Sequence, residues 1–298
     1  MTLSIPEICL ENIKTAPYGL FIVSTPIGNL ADITLRALHT LNQVDLIACE
    51  DTRVSKKLLQ YYGIKTKIQA YHDHNAEIIT PLLIDILSQK QSIALISDAG
   101  TPLISDPGYK LVQAAIAQNI PVYSIPGPSA VLAGLVTTGL PQYPMLFAGF
   151  TPSKFVARQK FLYSFQKFKG TLLLFESPAR LLNSLTDCLS IFGDRPSAIC
   201  REITKVFEET NRGLLSNLLQ LYQKTPTIKG EFVIAIDLNY SADISTEITQ
   251  EKLVETLKNY LQHLSLKEAA RQTADELGIP RKKAYQQALL LRESCADK

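Results

Sequence analysis

Cysteines are few, and nothing in their spacing builds a site. The five, Cys9, Cys49, Cys188, Cys200 and Cys295, are odd in number and contain no CxxC pair, which argues against a disulfide framework and against a cysteine zinc centre. They read as small buried hydrophobes. Long apolar runs are missing as well. No stretch approaches the roughly 18 to 20 residues that cross a bilayer, and the first residues, with Glu7 and Glu11, lack the basic-then-apolar order of a secretory signal. A cytoplasmic protein with no membrane attachment is the expectation. The common nucleotide signatures are absent: there is no GxxxxGK followed by Ser or Thr, and no GxGxxG after the first strand-like run, so ATP hydrolysis and nicotinamide chemistry are disfavoured. His72-Asp73-His74 has no HExxH or cysteine partner, so no metal is expected and a polar loop or substrate contact is the better reading. An excess of one charge is also lacking. Against 28 Asp and Glu stand 30 Lys and Arg, a net charge of +2, unlike a protein that simply coats nucleic acid.

What is present is a folded α/β chain. With 298 residues, 46% of them hydrophobic and 19% charged, the sequence can bury two cores. Strand-like runs at 20–24, 44–49, 67–70, 92–97 and 121–125 alternate with helical patterns, the rhythm of parallel strands joined by helices. Gly139 to Pro144 punctuates the chain. Further strand-like runs follow at Met145–Phe150, Thr171–Phe175, Ala198–Arg201 and Phe232–Ile236, with a helix over Pro178–Ile191 that has Pro in its first turn. Beyond Tyr240 the strands stop and a helical pattern takes over, with a break at Gly278-Ile279-Pro280. The expected organisation is an α/β domain over 1–140, a second α/β domain over 141–241, and a helix-turn-helix-like tail over 242–298.

Three strand-to-helix loops stand out: Ser24 to Leu30, Ser97 to Gly108, and Ile125 to Ala130. The second holds two Asp, two Gly and two Pro between Asp98 and Gly108. Gly lets a backbone approach a ligand, Pro fixes a loop, and Asp, Ser and Thr supply oxygens or helix caps. In an open α/β sheet the carboxyl ends of the strands share one edge, so the three loops are expected to converge on one ligand.

Charged residues end other strands. Glu50-Asp51-Thr52-Arg53 places two carboxylates and a guanidinium where a substrate would enter, although Asp51 or Thr52 could equally cap the next helix with Arg53 paired to an acid. Glu176-Ser-Pro-Ala-Arg180, Arg201-Glu-Ile-Thr-Lys205 and Gly230-Glu-Phe232 end three strands of the second half and point to a cleft. From Leu266 onward seven Lys or Arg face five Asp or Glu. The cluster Arg281-Lys282-Lys283 opens a helix, where cations oppose the dipole, which favours phosphate binding. Packing on a partner subunit is the competing reading.

Together, Thr25-Pro-Ile-Gly-Asn-Leu-Ala-Asp-Ile-Thr34, Glu50-Asp-Thr-Arg53, His72-Asp-His-Asn75, Ser97 to Gly108, Pro126-Gly-Pro-Ser-Ala130, Glu176 to Arg180, Arg201 to Lys205 and Gly230 to Phe232 resemble the tetrapyrrole methylase superfamily. Within it they are similar to the ribosomal RNA small subunit methyltransferase I family. The resemblance implies two α/β domains with S-adenosylmethionine in the cleft between them, a homodimer, and methyl transfer to the ribose 2′-oxygen of a cytidine in the decoding centre of small-subunit ribosomal RNA. That RNA, free or in the assembled subunit, is the implied partner. Corrin and porphyrin members carry a GxGxGxxxLT-like first loop; Thr-Pro-Ile-Gly-Asn-Leu stands there instead, which favours the RNA branch. The alternatives are a tetrapyrrole methyltransferase and a ligand-sensing nucleic-acid-binding protein.

On this likeness, S-adenosylmethionine is expected against Pro26, Ile27 and Gly28, against Asp98, Ala99, Gly100, Thr101 and Pro102, and against Ser129, Ala130 and Glu231. In-line methyl transfer needs alignment more than a metal, and a ribose hydroxyl needs help to lose its proton. Glu50, Asp51, Glu176, Glu202 and Glu231 are the candidate bases, with Arg53, Arg180 and Lys205 as orienting or charge-stabilising groups. Of these, Glu50, Asp51, Arg53, Glu176 and Lys205 are the expected catalytic set. Arg281, Lys282 and Lys283 are the expected RNA contacts.

Overall fold

The protein is described here by a computed structural model covering residues 17–240, 250–277 and 281–296. Glu7, Cys9, Glu11, the side chain of Cys295, the polar run 241–249 and the Gly278-Ile279-Pro280 break lie outside the described residues. Residues 17–239 form one compact unit, and those from Tyr240 onward form another.

The first unit holds two five-stranded sheets. In the first sheet β1 (Gly19–Val23), β2 (Leu46–Cys49), β3 (Ile68–Ala70), β4 (Ser92–Ile96) and β5 (Val122–Ile125) lie in the order β3-β2-β4-β1-β5. Every pairing is parallel. Alternate strand residues face opposite layers. Phe21, Val23, Ile47, Cys49, Ala94 and Ile96 pack on α1 (Leu35–Gln43) and α2 (Thr52–Tyr61). Leu20, Ala48, Ile93 and Leu95 pack on α3 (Ala76–Ser88) and α4 (Tyr109–Ala117). Burial on both faces of β1, β2 and β4 explains why these three read as nearly continuous apolar runs.

The second sheet has the order β6-β7-β10-β8-β9, with β6 (Met145–Phe150), β7 (Thr171–Glu176), β8 (Pro196–Arg201), β9 (Glu209–Leu214) and β10 (Phe232–Asp237). Only β6 and β7 run parallel; the other neighbours are antiparallel. One face, with Leu172, Leu174, Ile199, Ile234 and Ile236, is covered by α6 (Phe155–Tyr163), α7 (Leu181–Phe192) and α8 (Leu215–Gln223). The other, with Leu173, Cys200, Val233 and Ala235, is covered by α5 (Ala130–Thr138) through Val131 and Leu135. So α5, which follows a strand of the first sheet, packs on the second. At Gly134 an added Cβ would stand 3.1 Å from Val233 Cγ1, so glycine sets this close helix-to-sheet approach.

Two details depart from the sequence reading. Pro178 sits in a turn, and α7 begins at Leu181, because Glu176 and Arg180 hold the intervening residues in a bridged loop. The strand β9, Glu-Thr-Asn-Arg-Gly-Leu, is polar and lies at the sheet edge with one neighbour, so it carries no apolar run to find.

The second unit is a helical cluster: α9 (Gln250–Leu261), α10 (Leu266–Leu277) and α11 (Arg281–Ala296). Its core is Leu253, Leu257, Ala270, Ala274, Ala284 and Ala288. Four alanines let the helices approach closely. No helix among the described residues is long and apolar enough to cross a membrane.

Candidate active site

All parallel strands of the first sheet end on one edge, and there the three Gly- and Pro-bearing loops are bonded to each other. Thr25 and Gly100 exchange backbone hydrogen bonds of 2.8 and 3.0 Å. The Ser24 and Thr101 hydroxyls lie 2.9 Å apart, and Thr101 donates to the Pro128 carbonyl at 3.2 Å. Gly100 has φ +79, a conformation open to glycine at little steric penalty. After it, Leu103 and Ser105 also adopt positive φ, 73 and 68, and fold the loop back on itself. Ser129 then caps α5.

The second sheet contributes a matching edge. Phe232 is in register with both Glu176 and Arg201, so the antiparallel arrangement brings the end of β7, the start of β10 and the end of β8 together. The three charged clusters read from the sequence are therefore neighbours. Glu176, 2% exposed, accepts from the Ser177 amide at 2.8 Å, Arg180 Nε at 2.9 Å, the Ser184 hydroxyl at 2.5 Å and the Thr151 hydroxyl. Lys205 Nζ bridges Glu202 and Glu231, 2.9 Å from each. The two edges meet where Gly28 passes the 203–205 turn: an added Cβ would stand 2.5 Å from Lys205 Cγ, and Asn29 donates its amide to Thr204 Oγ1 at 3.0 Å.

Between the edges lies a cavity of about 360 Å³, within the usual range for small-molecule sites. Of the residues expected at the cofactor, Ile27, Asp98, Ala99, Gly100, Thr101, Ser129, Ala130 and Glu231 line it, whereas Pro26, Gly28 and Pro102 do not. Gly28 instead serves the contact between the two edges. Of the expected catalytic set, Glu50 and Glu176 line the cavity, while Asp51, Arg53 and Lys205 do not. Asp51 caps α2, accepting from the Arg53 amide at 2.8 Å, and pairs with the Arg53 side chain at 2.6 Å. Lys205 is taken up by its two carboxylates.

The cavity also holds residues not singled out from the sequence: Ile104, Ser105 and Asp106, together with Phe150, Phe175 and Val233. Asp106 belongs to the 97–108 loop, whose two turns of positive φ are invisible in residue types alone. The aromatic rings end strands, a position that could have marked them.

Five carboxylates, Glu50, Asp98, Asp106, Glu176 and Glu231, line the cavity, and among the described residues no Lys or Arg does. Crowding shows in the protonation of Glu50, Asp98 and Asp106. Burial, chiefly, pushes the Asp106 carboxyl up to about 6, with Glu50 and Asp98 adding to it and the Ser97 hydroxyl opposing it. Burial and then the Asp98 charge raise Glu50, and burial raises Asp98. Outside the cavity the hydrogen bonds from Arg53 hold the Asp51 carboxyl down to about 2. The hydrogen bond from Lys205 lowers Glu202.

Near the first edge, His72 donates its amide to Asn75 Oδ1 at 2.9 Å, and its ring lies 6.0 Å from that of His74. In the helical unit Arg281 pairs with Asp275 at 3.2 Å, which offsets its unfavourable place at the start of α11. Lys282 and Lys283 are exposed beside it.

Comparison with known proteins bears on both units. Residues 19–219 match the family described as Tetrapyrrole (Corrin/Porphyrin) Methylases. Residues 247–292 match the RsmI C-terminal HTH domain. The chain is 45% identical over 281 residues to a ribosomal RNA small subunit methyltransferase I of Mesorhizobium japonicum, covering 94% of each chain. It is 42% identical over 274 residues to the protein of the same name from Synechocystis, covering 91% of this chain and 98% of that one. Among solved structures, a diphthine synthase aligns with a TM-score of 0.57 at 15% identity, covering 73% of this chain and 88% of the other. A uroporphyrin-III C-methyl transferase from Thermus thermophilus, complexed with S-adenyl homocysteine, aligns at 0.53 with 17% identity, covering 74% and 98%. These distant structures share the fold.

Proposed function

From the premise that this chain belongs to the ribosomal RNA small subunit methyltransferase I family of the tetrapyrrole methylases, we propose that it methylates the ribose 2′-oxygen of a cytidine in small-subunit ribosomal RNA. The protein is a methyltransferase, and its methyl donor is S-adenosylmethionine.

One observation carries the placement of the donor: the cavity between the two sheet edges is lined by five carboxylates and, among the described residues, by no Lys or Arg. A sulfonium is a cation, and a concave site of this charge favours it electrostatically. The apolar residues Ile27, Val131, Phe150 and Phe175 provide the rest of a surface fit for a nucleoside. When bound, the donor supplies an electrophilic methyl carbon. The loop 98–101 and the start of α5 at Ser129 and Ala130 hold it, with backbone close at Gly100, and Glu231 stands on the opposite edge. Glu176 acts through Arg180, which it fixes beside the cavity. Phe207, 71% exposed, follows the turn that meets Gly28 and offers a flat face to an unpaired base.

The helical unit supports an RNA acceptor, with Lys282 and Lys283 as phosphate contacts and Arg281 shared with Asp275. The family likeness supports a homodimer in the cytoplasm, acting on the assembled subunit or its RNA. The test uses small ribosomal subunits from cells lacking the gene, incubated with the protein and methyl-labelled S-adenosylmethionine. Nuclease digestion and mass spectrometry should place the label on the ribose of one cytidine. Label on a base, or on a porphyrin or corrin but not on RNA, overturns the reading.

A further inference from the structure

We propose that Asp106 is the general base that takes the proton from the attacking ribose hydroxyl. The inference rests on the reaction proposed above and names the group that performs its proton transfer.

Position and partners single out Asp106. Leu103 and Ser105, both of positive φ, fold the loop after β4 so that its two ends, 98–101 and 104–106, line the same cavity. Non-glycine residues in this region store strain and persist only where the surroundings impose it. Here Gly108, at φ +136, lets the loop close on Leu95 and Leu103; a Cβ there would stand 2.6 Å from Leu95 Cδ2. On β6, Gly149 makes room for Ser105, whose hydroxyl would be 3.4 Å from an added Cβ. Both ends of the loop thus line one cavity, Gly100 at one end and the Asp106 carboxylate at the other.

Most other acidic groups near the cavity are bound to cations, and the remaining two each accept a backbone amide. Glu176 accepts from four donors. Glu202 and Glu231 hold Lys205, and Asp51 holds Arg53. Asp98 Oδ1 accepts the Asp51 amide at 3.1 Å, and Glu50 Oε2 accepts the Asp98 amide at 3.5 Å. Among the described residues no Lys, Arg or backbone amide bonds to the Asp106 carboxyl. The groups that act on it are the Ser97 hydroxyl and the Glu50 and Asp98 carboxylates. Its basicity is accordingly raised toward neutrality, where a general base works best. In the step, the O–H bond breaks with its proton passing to Asp106, while the ribose oxygen forms its bond to the methyl carbon. The carbon–sulfur bond breaks with its electron pair going to sulfur, leaving a neutral thioether, and Asp106 then returns the proton to water.

The test compares wild type with Asp106→Asn on gene-deleted small subunits, following turnover against pH and measuring S-adenosylmethionine affinity by calorimetry. With the cationic donor bound, wild-type turnover should fall along an acid limb at or below about pH 6. Asp106→Asn should lower turnover by roughly 10²- to 10⁴-fold with less than about tenfold change in donor affinity, and its residual rate should lack that limb. Asp106→Glu should restore part of the turnover and the limb. If Asp106→Asn does not fold, Ser97→Ala serves in its place: without the opposing hydroxyl, the acid limb should move to higher pH. Undiminished turnover, an unmoved limb, or affinity loss equal to turnover loss overturns the role of Asp106 and leaves the methyltransferase reading standing. No incorporation into RNA by wild type overturns both.

Discussion

Asp106 also makes a statement about stability that needs no substrate. Its carboxyl moves from 3.8 up to about 6 on folding, so below about pH 3 it is protonated in both states and favours neither. As pH rises from about 4 through 6, the unfolded chain ionises more readily than the native cleft allows, and stability falls. Asp106→Asn removes that penalty. Thermal melts should show the variant more stable than wild type at about pH 7.5, by on the order of 1 kcal/mol once solvent screening in the cleft is allowed for, and equal to it at about pH 3. At Gly100 the expected effect is on binding. An added side chain would meet strain at φ +79 but little steric conflict, with only Ile27 Cγ2 at 3.4 Å from a Cβ. Gly100→Leu should remain folded at a loss of roughly 1–3 kcal/mol while its side chain occupies the cavity, and calorimetry should detect no donor binding. A folded Gly100→Leu protein with full affinity would remove that loop from the site.

Among elements, the turn between β7 and α7 depends on a buried carboxylate. Glu176 gathers Thr151, Ser177, Arg180 and Ser184 around one charge. Glu176→Ala would leave the Ser177 amide without its acceptor, Arg180 with only Ser177 Oγ, and the Thr151 and Ser184 hydroxyls with only each other, and should destabilise the protein by about 1–3 kcal/mol, detectable as a lowered denaturant midpoint with little change in slope. A loss below about 1 kcal/mol would mean that water satisfies the cluster. The sequence made much of this architecture readable. The strands β1, β2 and β4 were legible because burial on both faces makes them nearly all apolar, and β3 and β5 from the turn residues and helical patterns around shorter apolar runs. The convergence of the 24–30, 97–108 and 125–130 loops followed from parallel strands sharing an edge. What residue types did not disclose was pairing. The second sheet's antiparallel turns decide that Glu176, Arg201 and Phe232 are neighbours, and β9 had no apolar signal to give. Asp51 and Arg53, conspicuous by charge, satisfy each other at a helix cap. Asp106 lies inside a legible motif, but its place in the cavity depends on two backbone conformations that leucine and serine seldom adopt.

At the scale of the whole molecule, the two units have separate cores, so a chain ending near residue 239 should fold and bind S-adenosylmethionine with near wild-type affinity. It should lose affinity for small-subunit RNA. Within the full chain, Lys282→Ala with Lys283→Ala should flatten the dependence of log affinity on log salt by about 0.7 per lost phosphate contact to single-stranded RNA. Arg281→Ala should add less than a full contact, because Asp275 already shares its charge. An unchanged slope would assign this face of α11 to packing. The crossing of α5 from one sheet to the other determines how the chain can be divided. A cut in the 139–144 linker looks natural, yet it would strand Val131 and Leu135 on the first fragment, torn from Leu173, Val233 and Ala235. A cut before Ser129 leaves each apolar surface with its own cover, so two polypeptides divided there should be separately soluble and should reassemble a working cleft when mixed.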